Sequence, residues 1–195
     1  DAAGRFSGVM GVSQDISERK RADRRQAATY RISQAAMLAP DLDQLYAALH
    51  EIVRAQMPAR DLYIALYDPR TETLSFPYWA DTRDPRPEPR PLRTGFTDWV
   101  LRWGRTLRLS AAREGLEPEA ARYELIGTTP SDWLGVPLQA GGRTIGVLAV
   151  QTYVPGARYG EAEQAILEFV SSQVGMAIER KRAEAALRQS EERFR

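Results

Sequence analysis

The stretch that decides the fold is WLGVPLQAGGRTIGVLAV, which occupies residues 133–150. Its two halves are apolar runs of strand length, and Gly141 and Gly142 stand between them. Because glycine accepts the positive φ angles of a tight hairpin turn, the stretch predicts two antiparallel strands, 133–138 and 144–150. Beyond them, residues 160–195 contain no proline and predict one long helix.

The other elements follow from hydrophobic periodicity and from the positions of proline and aspartate. Apolar residues at helical spacing predict a helix that begins at Asp41 or Asp43 and ends before Pro58. Further helices are predicted over 18–38, 95–102 and 118–126, and further strands over 5–12, 62–67, 73–79 and 106–109. Together they predict an α+β domain in which helices lie beside one antiparallel sheet.

A proline-rich segment separates the two predicted hairpins. Residues 84–91 read DPRPEPRP, with proline at every second position. Proline has no N–H group and favours an extended path, so the segment predicts a surface loop that takes no part in the sheet. A ligand for a proline-recognition domain is the alternative.

The composition is that of a globular domain, with 195 residues, 43% of them hydrophobic and 27% charged. The 27 basic and 26 acidic residues leave a net charge of +1, so neither nucleic acid nor a membrane surface is expected as a partner. The longest purely apolar run, 145–150, is far shorter than the ~20 residues of a membrane-spanning helix. No signal peptide is visible, and we expect a cytoplasmic protein.

Residues that could carry catalysis are few. The chain has no cysteine, which excludes a disulfide, a thiolate nucleophile and cysteine-ligated zinc. It has one histidine, His50, and neither a GxxxxGK[ST] loop nor a GxGxxG turn. We therefore expect no catalytic residue, no metal site, no cofactor and no enzymatic activity in these residues. His50 lies beside the apolar stripe of its helix, which favours a structural or solvent-facing role; an axial haem ligand is the alternative.

Residues 42–179 resemble a GAF domain, the small-molecule-sensing module of bacterial signalling proteins. The resemblance rests on the opening helix, the 62–79 hairpin, the segment around Gly95 and Trp99, and above all on LGVPL (134–138) and IGVL (145–148) before the long helix. Residues 8–20 look like the closing strand and exit helix of a PAS domain, and residues 191–195 resemble the start of another. The predicted units are a PAS tail (1–22), a GAF domain (23–182) and a linker helix with a PAS start (183–195).

The resemblance implies a regulatory sensory module that relays a signal through flanking helices to an output domain. By association with the family, the parent protein is expected to be a bacterial sensor histidine kinase, a transferase of a two-component phosphorelay. The alternatives are a small-molecule receptor domain of a diguanylate cyclase or phosphodiesterase, and a structural dimerisation spacer. Family members that attach a bilin need a cysteine, and members that bind cyclic nucleotides carry an asparagine-containing motif; this sequence contains neither residue type.

A pocket for an unknown small-molecule ligand is predicted between the sheet and residues 83–103, with the proline-stiffened loop as its cover. Aromatic residues from the middle of the chain either line this pocket or fill the core. The candidate lining residues are Phe96, Trp99, Trp103, Tyr78, Tyr123 and Trp133. Among them, Trp99 and Trp103 are favoured.

The flanking helices carry thin apolar seams. Ala183, Leu187 and Phe194 recur at heptad-like spacing in the C-terminal helix, and Ile32 and Ala36 belong to a similar stripe in the N-terminal one. Because isolated helices of this polarity are marginal in water, a partner helix is expected. We predict a parallel homodimer with both flanking helices along its two-fold axis. The alternative is a monomer whose terminal helices pack on its own sheet.

Overall fold

The computed structural model describes residues 26–110, 120–124 and 126–193. The predicted strand at 5–12, the PAS-like segment 1–22 and Phe194 lie outside these residues, so the predicted domain boundaries stay predictions.

Six strands of the described chain form one antiparallel sheet. They are β1 (Asp61–Asp68), β2 (Thr73–Ala80), β3 (Arg90–Pro91), β4 (Leu107–Ser110), β5 (Asp132–Ala140) and β6 (Arg143–Thr152). Their order across the sheet is β3-β2-β1-β6-β5-β4. The β5–β6 turn uses Gly141 and Gly142 at φ angles of 56° and 71°, as the glycine pair predicted.

Four helices accompany the sheet in the described chain. They are α1 (residues 26–38), α2 (Leu42–Arg54), α3 (Phe96–Trp103) and α4 (Glu161–Arg193), and a 3₁₀ turn occupies Ala120–Arg122. Asp41, rather than Asp43, caps α2, because its Oδ1 accepts the N–H of Gln44 at 2.8 Å. The predicted α+β class with a single antiparallel sheet is therefore confirmed.

The sheet separates two hydrophobic cores, because successive side chains of a strand point to opposite faces. Leu62 and Ile64 of β1 join a core formed with α1, α2 and α4. Tyr63 and Ala65, the alternate residues of β1, join a second core beneath α3. The two faces can therefore serve different purposes, with the long helices on one and α3 with the proline-rich segment on the other.

The structure corrects two expectations, one about the proline-rich segment and one about the helix predicted at 118–126. The proline-rich segment does enter the sheet, since Arg90 and Pro91 pair with Leu74 and Thr73 as the edge strand β3. A proline is tolerated there because one side of an edge strand needs no partner, and Arg90 retains its own N–H group. The predicted helix at 118–126 is reduced, in its described part, to the single turn Ala120–Arg122.

Within the residues that the structure describes, no helix is both long and apolar enough to cross a membrane.

Candidate functional site

A cavity of about 320 Å³ lies between the α3 face of the sheet and the segment 84–97. Its floor is formed by strands β1, β2, β5 and β6, and the proline-rich segment closes one side. Five aromatic rings contribute to its walls: Tyr63, Phe76, Trp79, Phe96 and Trp133. A volume of this size matches the lower end of the range for small-molecule sites.

Gly135 gives the indole of Trp133 its position in the cavity wall. A Cβ atom at Gly135 would lie 2.2 Å from a ring carbon of Trp133, so only glycine leaves room for the ring. Trp133 also stands directly opposite Gln151 of β6, which lines the cavity as well. The LGVPL stretch thus shapes this wall of the cavity in addition to forming a strand.

A hydrogen-bond chain runs along the cavity floor. The indole Nε1–H of Trp133 donates to the hydroxyl of Tyr63 at 3.1 Å, and this hydroxyl lies 2.8 Å from the Oγ1 atom of Thr97. Burial raises the pKa of Tyr63 to about 12, so its hydroxyl keeps its proton at neutral pH. These two hydrogen bonds join β5, β1 and the first turn of α3 into one rigid unit.

A buried ion pair holds the segment that covers the cavity. Arg90 of β3 donates from Nη1 and Nη2 to the two carboxylate oxygens of Asp98, at 3.0 and 2.8 Å. The side chains of Asp98 and Arg90 are only 0% and 12% exposed, and the backbone N–H of Arg93 adds a third hydrogen bond to Asp98 at 2.7 Å. The charge that Arg90 brings to the wall is thereby balanced.

The side chain of Asp84 fixes the other end of the segment 84–97, which covers the cavity. The carboxylate of Asp84 accepts both the N–H and the hydroxyl of Thr128, at 2.8 and 2.7 Å. The indole N–H of Trp79 donates to the carbonyl oxygen of Asp84 at 3.0 Å. Asp84, like Arg90, therefore lines the cavity with its charge already engaged.

The predicted pocket residues occupy four different environments. Phe96 and Trp133 line the cavity. Trp99 is fully buried in the core beneath α3, whereas Trp103 is 50% exposed at the end of the same helix. Tyr123 packs against the α3 core, and Tyr78 lies on the opposite face of the sheet, against His50. Which of these residues contact a ligand stays a prediction.

Several cavity residues carry no pocket signal in the sequence alone. Tyr63, Thr97 and Gln151 line the cavity, yet each reads in the sequence as an ordinary strand or helix residue. The available signal was alternation: Tyr63 and Gln151 fall on the strand face that also carries Trp133. That signal is useful only once the strand order is known.

His50 has a structural position. Its Nε2 lies 2.8 Å from the carbonyl oxygen of Ala59, and its Nδ1 lies 2.8 Å from the hydroxyl of Tyr78. Because a carbonyl only accepts, Nε2 carries the proton and Tyr78 donates to Nδ1. Burial lowers the pKa of His50 and favours the neutral ring. Both ring nitrogens are engaged, which argues against the haem-ligand alternative, and no cluster in the described part of the chain has the donors for a metal ion.

The long helix α4 contacts the strand that carries Trp133. The hydroxyl of Ser171 donates to the carbonyl oxygen of Pro137 at 2.5 Å. One turn later, Gly175 lets the helix approach the backbone so closely that a Cβ atom there would lie 2.1 Å from the carbonyl oxygen of Gln139. Strand β5 therefore connects the cavity on one face with α4 on the other.

The seam residues of the flanking helices are divided between core and surface. Ile32 and Ala36 of α1 are 2% and 7% exposed and pack in the core of their own chain. Their side chains pack in the core that α1 shares with α2 and α4. On α4, Ala183 is exposed and Leu187 is 62% exposed. The homodimer stays a prediction, which now depends on α4.

Comparisons with known proteins agree with this architecture. The family model described as the GAF domain matches residues 39–179, well over half of the chain. A GAF domain of an Acinetobacter phosphoenolpyruvate-protein phosphotransferase is 20% identical with a TM-score of 0.67, over 82% of this chain and 95% of that one. The corresponding domain from Coxiella burnetii is 18% identical with a TM-score of 0.69, over 85% and 98%.

A third similar structure is that of an enzyme. The free methionine-R-sulfoxide reductase from Neisseria meningitidis, in complex with its substrate, is 18% identical with a TM-score of 0.66, over 93% of this chain and 98% of that one. No curated protein matches the sequence. The family model and the shared fold agree: this chain belongs to the GAF domain family, the regulatory sensory modules of signalling proteins.

Proposed function

We propose that this chain senses a small molecule in the aromatic cavity and relays its occupancy along α4 to an output domain of the same protein. The cavity is the observation that carries the proposal. It is bounded by a rigid floor of strands and by a cover that the Arg90–Asp98 pair holds in place. A site with preformed walls binds with a low cost of ordering.

Contacts that cross the sheet support the proposed relay. Trp133 lines the cavity from β5, and the same strand meets α4 through Pro137 and Gln139. A ligand that displaces Trp133 would therefore move the strand on which α4 rests. Because packed elements shift as units, a small change at the cavity can become a shift of the whole helix.

The proposed oligomeric state and parent protein rest on the resemblance of the flanking segments to PAS domains. We propose a parallel homodimer joined through α4, in a cytoplasmic sensor histidine kinase with PAS domains on both sides. A diguanylate cyclase or phosphodiesterase output is the second candidate. The resemblance of segments 8–20 and 191–195 to parts of PAS domains supports a multidomain receptor, as does the similarity of the charged stretches 18–23 and 179–184.

The sulfoxide reductase supports the ligand-binding part of the proposal only. It is a protein of this fold that holds a small molecule, its substrate. Reduction of a sulfoxide needs a two-electron donor, and this chain has no cysteine that could supply thiols. We therefore propose ligand sensing and not that reaction.

Melting curves of the 195-residue chain with a library of small molecules test the proposal. A ligand at 100 times its Kd stabilises the folded chain by about 2.7 kcal/mol, which raises the Tm of a domain this size by about 5–10 °C. Ile126, 53% exposed at the cavity wall, offers a blocking variant, Ile126→Trp. Val154→Trp, at a 61% exposed site outside this cavity, is the matched control.

We expect a shift that Ile126→Trp abolishes and Val154→Trp preserves. A shift that survives Ile126→Trp would place the ligand elsewhere. If neither the library nor native mass spectrometry of the purified chain shows any bound molecule, the structural spacer becomes the better description.

A further inference from the structure

Two polar groups of the cavity are left with unused hydrogen-bonding capacity by the network around them. We propose that the ligand is a small, uncharged, planar heteroaromatic ring system that carries both a carbonyl acceptor and a ring N–H donor, as a lactam does. This inference rests on the proposed ligand-sensing function and specifies its ligand class. The carbonyl would meet Thr97, and the N–H would meet Gln151.

The donor comes from the hydroxyl pair of Tyr63 and Thr97, which has two protons and uses only one of them for its own contact. An indole N–H can only donate, so Tyr63 accepts from Trp133, and either hydroxyl can be the donor in the 2.8 Å contact between Tyr63 and Thr97. We assign the donor of that contact to Tyr63, which leaves the proton of Thr97 without a partner among the described residues. A half-buried hydroxyl that lines a cavity and retains its proton can donate to a ligand carbonyl.

The acceptor is the side-chain carbonyl of Gln151, as its neighbours dictate. The amide nitrogen of Gln151 donates to the carboxylate of Asp81 and to the hydroxyl of Tyr153, the latter at 2.8 Å. Because a carboxylate only accepts, the amide cannot be flipped, and its two N–H groups are both used. The carbonyl oxygen accepts no hydrogen bond from the described residues, and it is not among the fully buried atoms, so a ligand in the cavity can reach it.

The walls select a flat ligand. Tyr63 and Trp79 are stacked, with ring centroids 4.8 Å apart and an interplanar angle of 29°. Phe76 meets Trp79 edge-on, with centroids 5.6 Å apart at 89°. Aromatic faces bind planar rings by offset stacking or edge contacts, which gives a heteroaromatic ligand an advantage over a saturated one of equal size.

The charges around the cavity favour a neutral ligand. Arg90 is paired with Asp98, and the carboxylate of Asp84 is bound by Thr128. Glu88 and Arg93, the other charged lining residues, are solvent-exposed and of opposite sign. An anionic or cationic ligand would lose its hydration without gaining an unpaired buried counter-charge.

Four commercial probes isolate the features of this ligand class. Quinazolin-4(3H)-one is a planar lactam, and 3-methylquinazolin-4-one lacks its N–H. Naphthalene has the same ring shape without polar groups, and 2-naphthoate adds a negative charge. Binding to the 195-residue chain is measured by quenching of tryptophan fluorescence, since Trp79 and Trp133 line the cavity, and by calorimetry.

We expect the lactam to bind at least tenfold more tightly than each of the other three probes, because one buried hydrogen bond is worth about a factor of ten. The variant Thr97→Val should weaken lactam binding about tenfold and leave naphthalene binding unchanged, and Thr97→Ser should restore it. Thr106→Val is the matched control, because Thr106 hydrogen-bonds to Glu168 outside the cavity. Equal melting temperatures of the Val and Ser variants exclude a folding effect.

The outcomes separate the ligand class from the proposed function. If naphthalene or 2-naphthoate binds as tightly as the lactam, or if Thr97→Val leaves lactam binding unchanged, the ligand class is wrong and the sensing function stands. If none of the four probes binds, the ligand class is also overturned, while a library ligand sensitive to Ile126→Trp would still support sensing.

Discussion

Asp98 is fully buried at the first turn of α3, and the charge of Arg90 is balanced by it alone among the described residues. The variant Asp98→Asn keeps the size of the side chain, but it removes the counter-charge and puts an amide NH2 group where Oδ2 accepts from Nη2 of Arg90. Breaking a buried pair from one side costs about 3 kcal/mol of unfolding free energy or more, measured by urea denaturation. We expect a loss of this size, and a weakened cover over the cavity.

The exposed pair Arg54–Glu51 provides the control for this prediction. Its side chains are 48% and 68% exposed, so Glu51→Gln should cost no more than about 0.5 kcal/mol. If both variants lose the same free energy of unfolding, the Arg90–Asp98 pair contributes no more to stability than an exposed ion pair.

His50 makes the stability of the chain depend on pH. Because burial lowers its pKa in the folded chain, the unfolded chain binds a proton more readily. The folded state therefore loses stability as the pH falls through about 6.5, the ordinary pKa of histidine. We expect the urea midpoint of the wild type to be lower at pH 5.5 than at pH 7.5.

The variant His50→Gln tests the assignment. An amide N–H can still donate to Ala59, but the side chain no longer titrates. Since His50 is the single histidine of the chain, the change in midpoint between pH 7.5 and 5.5 should shrink in this variant. An unchanged pH dependence would assign the effect to carboxyl groups instead.

At the scale of elements, α4 approaches β5 so closely at Gly175 that a side chain there has no room. An alanine Cβ there would stand 2.1 Å from the backbone oxygen of Gln139, so α4 would have to move away from β5. In a helix without such a contact, Gly→Ala stabilises by about 0.5–1 kcal/mol. We expect Gly175→Ala to destabilise the chain by about 1–3 kcal/mol in urea denaturation, the usual cost of overpacking.

Gly160 supplies the comparison. A Cβ atom at Gly160 would lie 3.3 Å from the Oε2 atom of Glu163, which accepts the N–H of Gly160 and would have to shift by only a few tenths of an ångström. Gly160→Ala should therefore change the free energy of unfolding by less than about 1 kcal/mol. A stabilising Gly175→Ala would mean that α4 does not rest on β5 as closely as described, and the relay would lose its main contact.

The elements themselves could be predicted from the sequence because their signals are local. The glycine pair at 141–142 and the apolar runs beside it determine the β5–β6 hairpin within one short stretch. The order of strands carries no such local signal, since β6 pairs with β1 across a long sequence separation. Sequence periodicity cannot supply that pairing.

The candidate site could be predicted only in outline for the same reason. The sequence pattern placed a pocket beside residues 83–103, and a cavity lies against 84–97. It favoured Trp99 and Trp103, whose helical spacing with Phe96 also describes a core-packing face, and Trp99 indeed packs in the core. Tyr63 and Gln151 meet Trp133 only through the pairing of β1, β6 and β5.

At the scale of the whole molecule, both long flanking helices meet on one face of the sheet. The guanidinium of Arg180 on α4 donates to the carbonyl oxygen of Ala36 on α1 at 2.7 Å. Beyond this contact α4 continues with exposed residues, among them Ala183 and Leu187. Under the proposed relay, an upstream input through α1 and a ligand in the cavity would act on the same helix.

If α4 transmits its state by rotation or translation as a rigid helix, the phase of its C-terminal part must matter. In the proposed full-length receptor, an insertion of four residues after Arg182 should turn the downstream face by about 40°, because each residue of a helix adds about 100°. An insertion of seven residues should nearly restore the phase. We therefore expect the output activity of the receptor to change with four inserted residues and to return with seven. Output that is equally unchanged by both insertions would exclude a helical relay and leave α4 as a passive spacer.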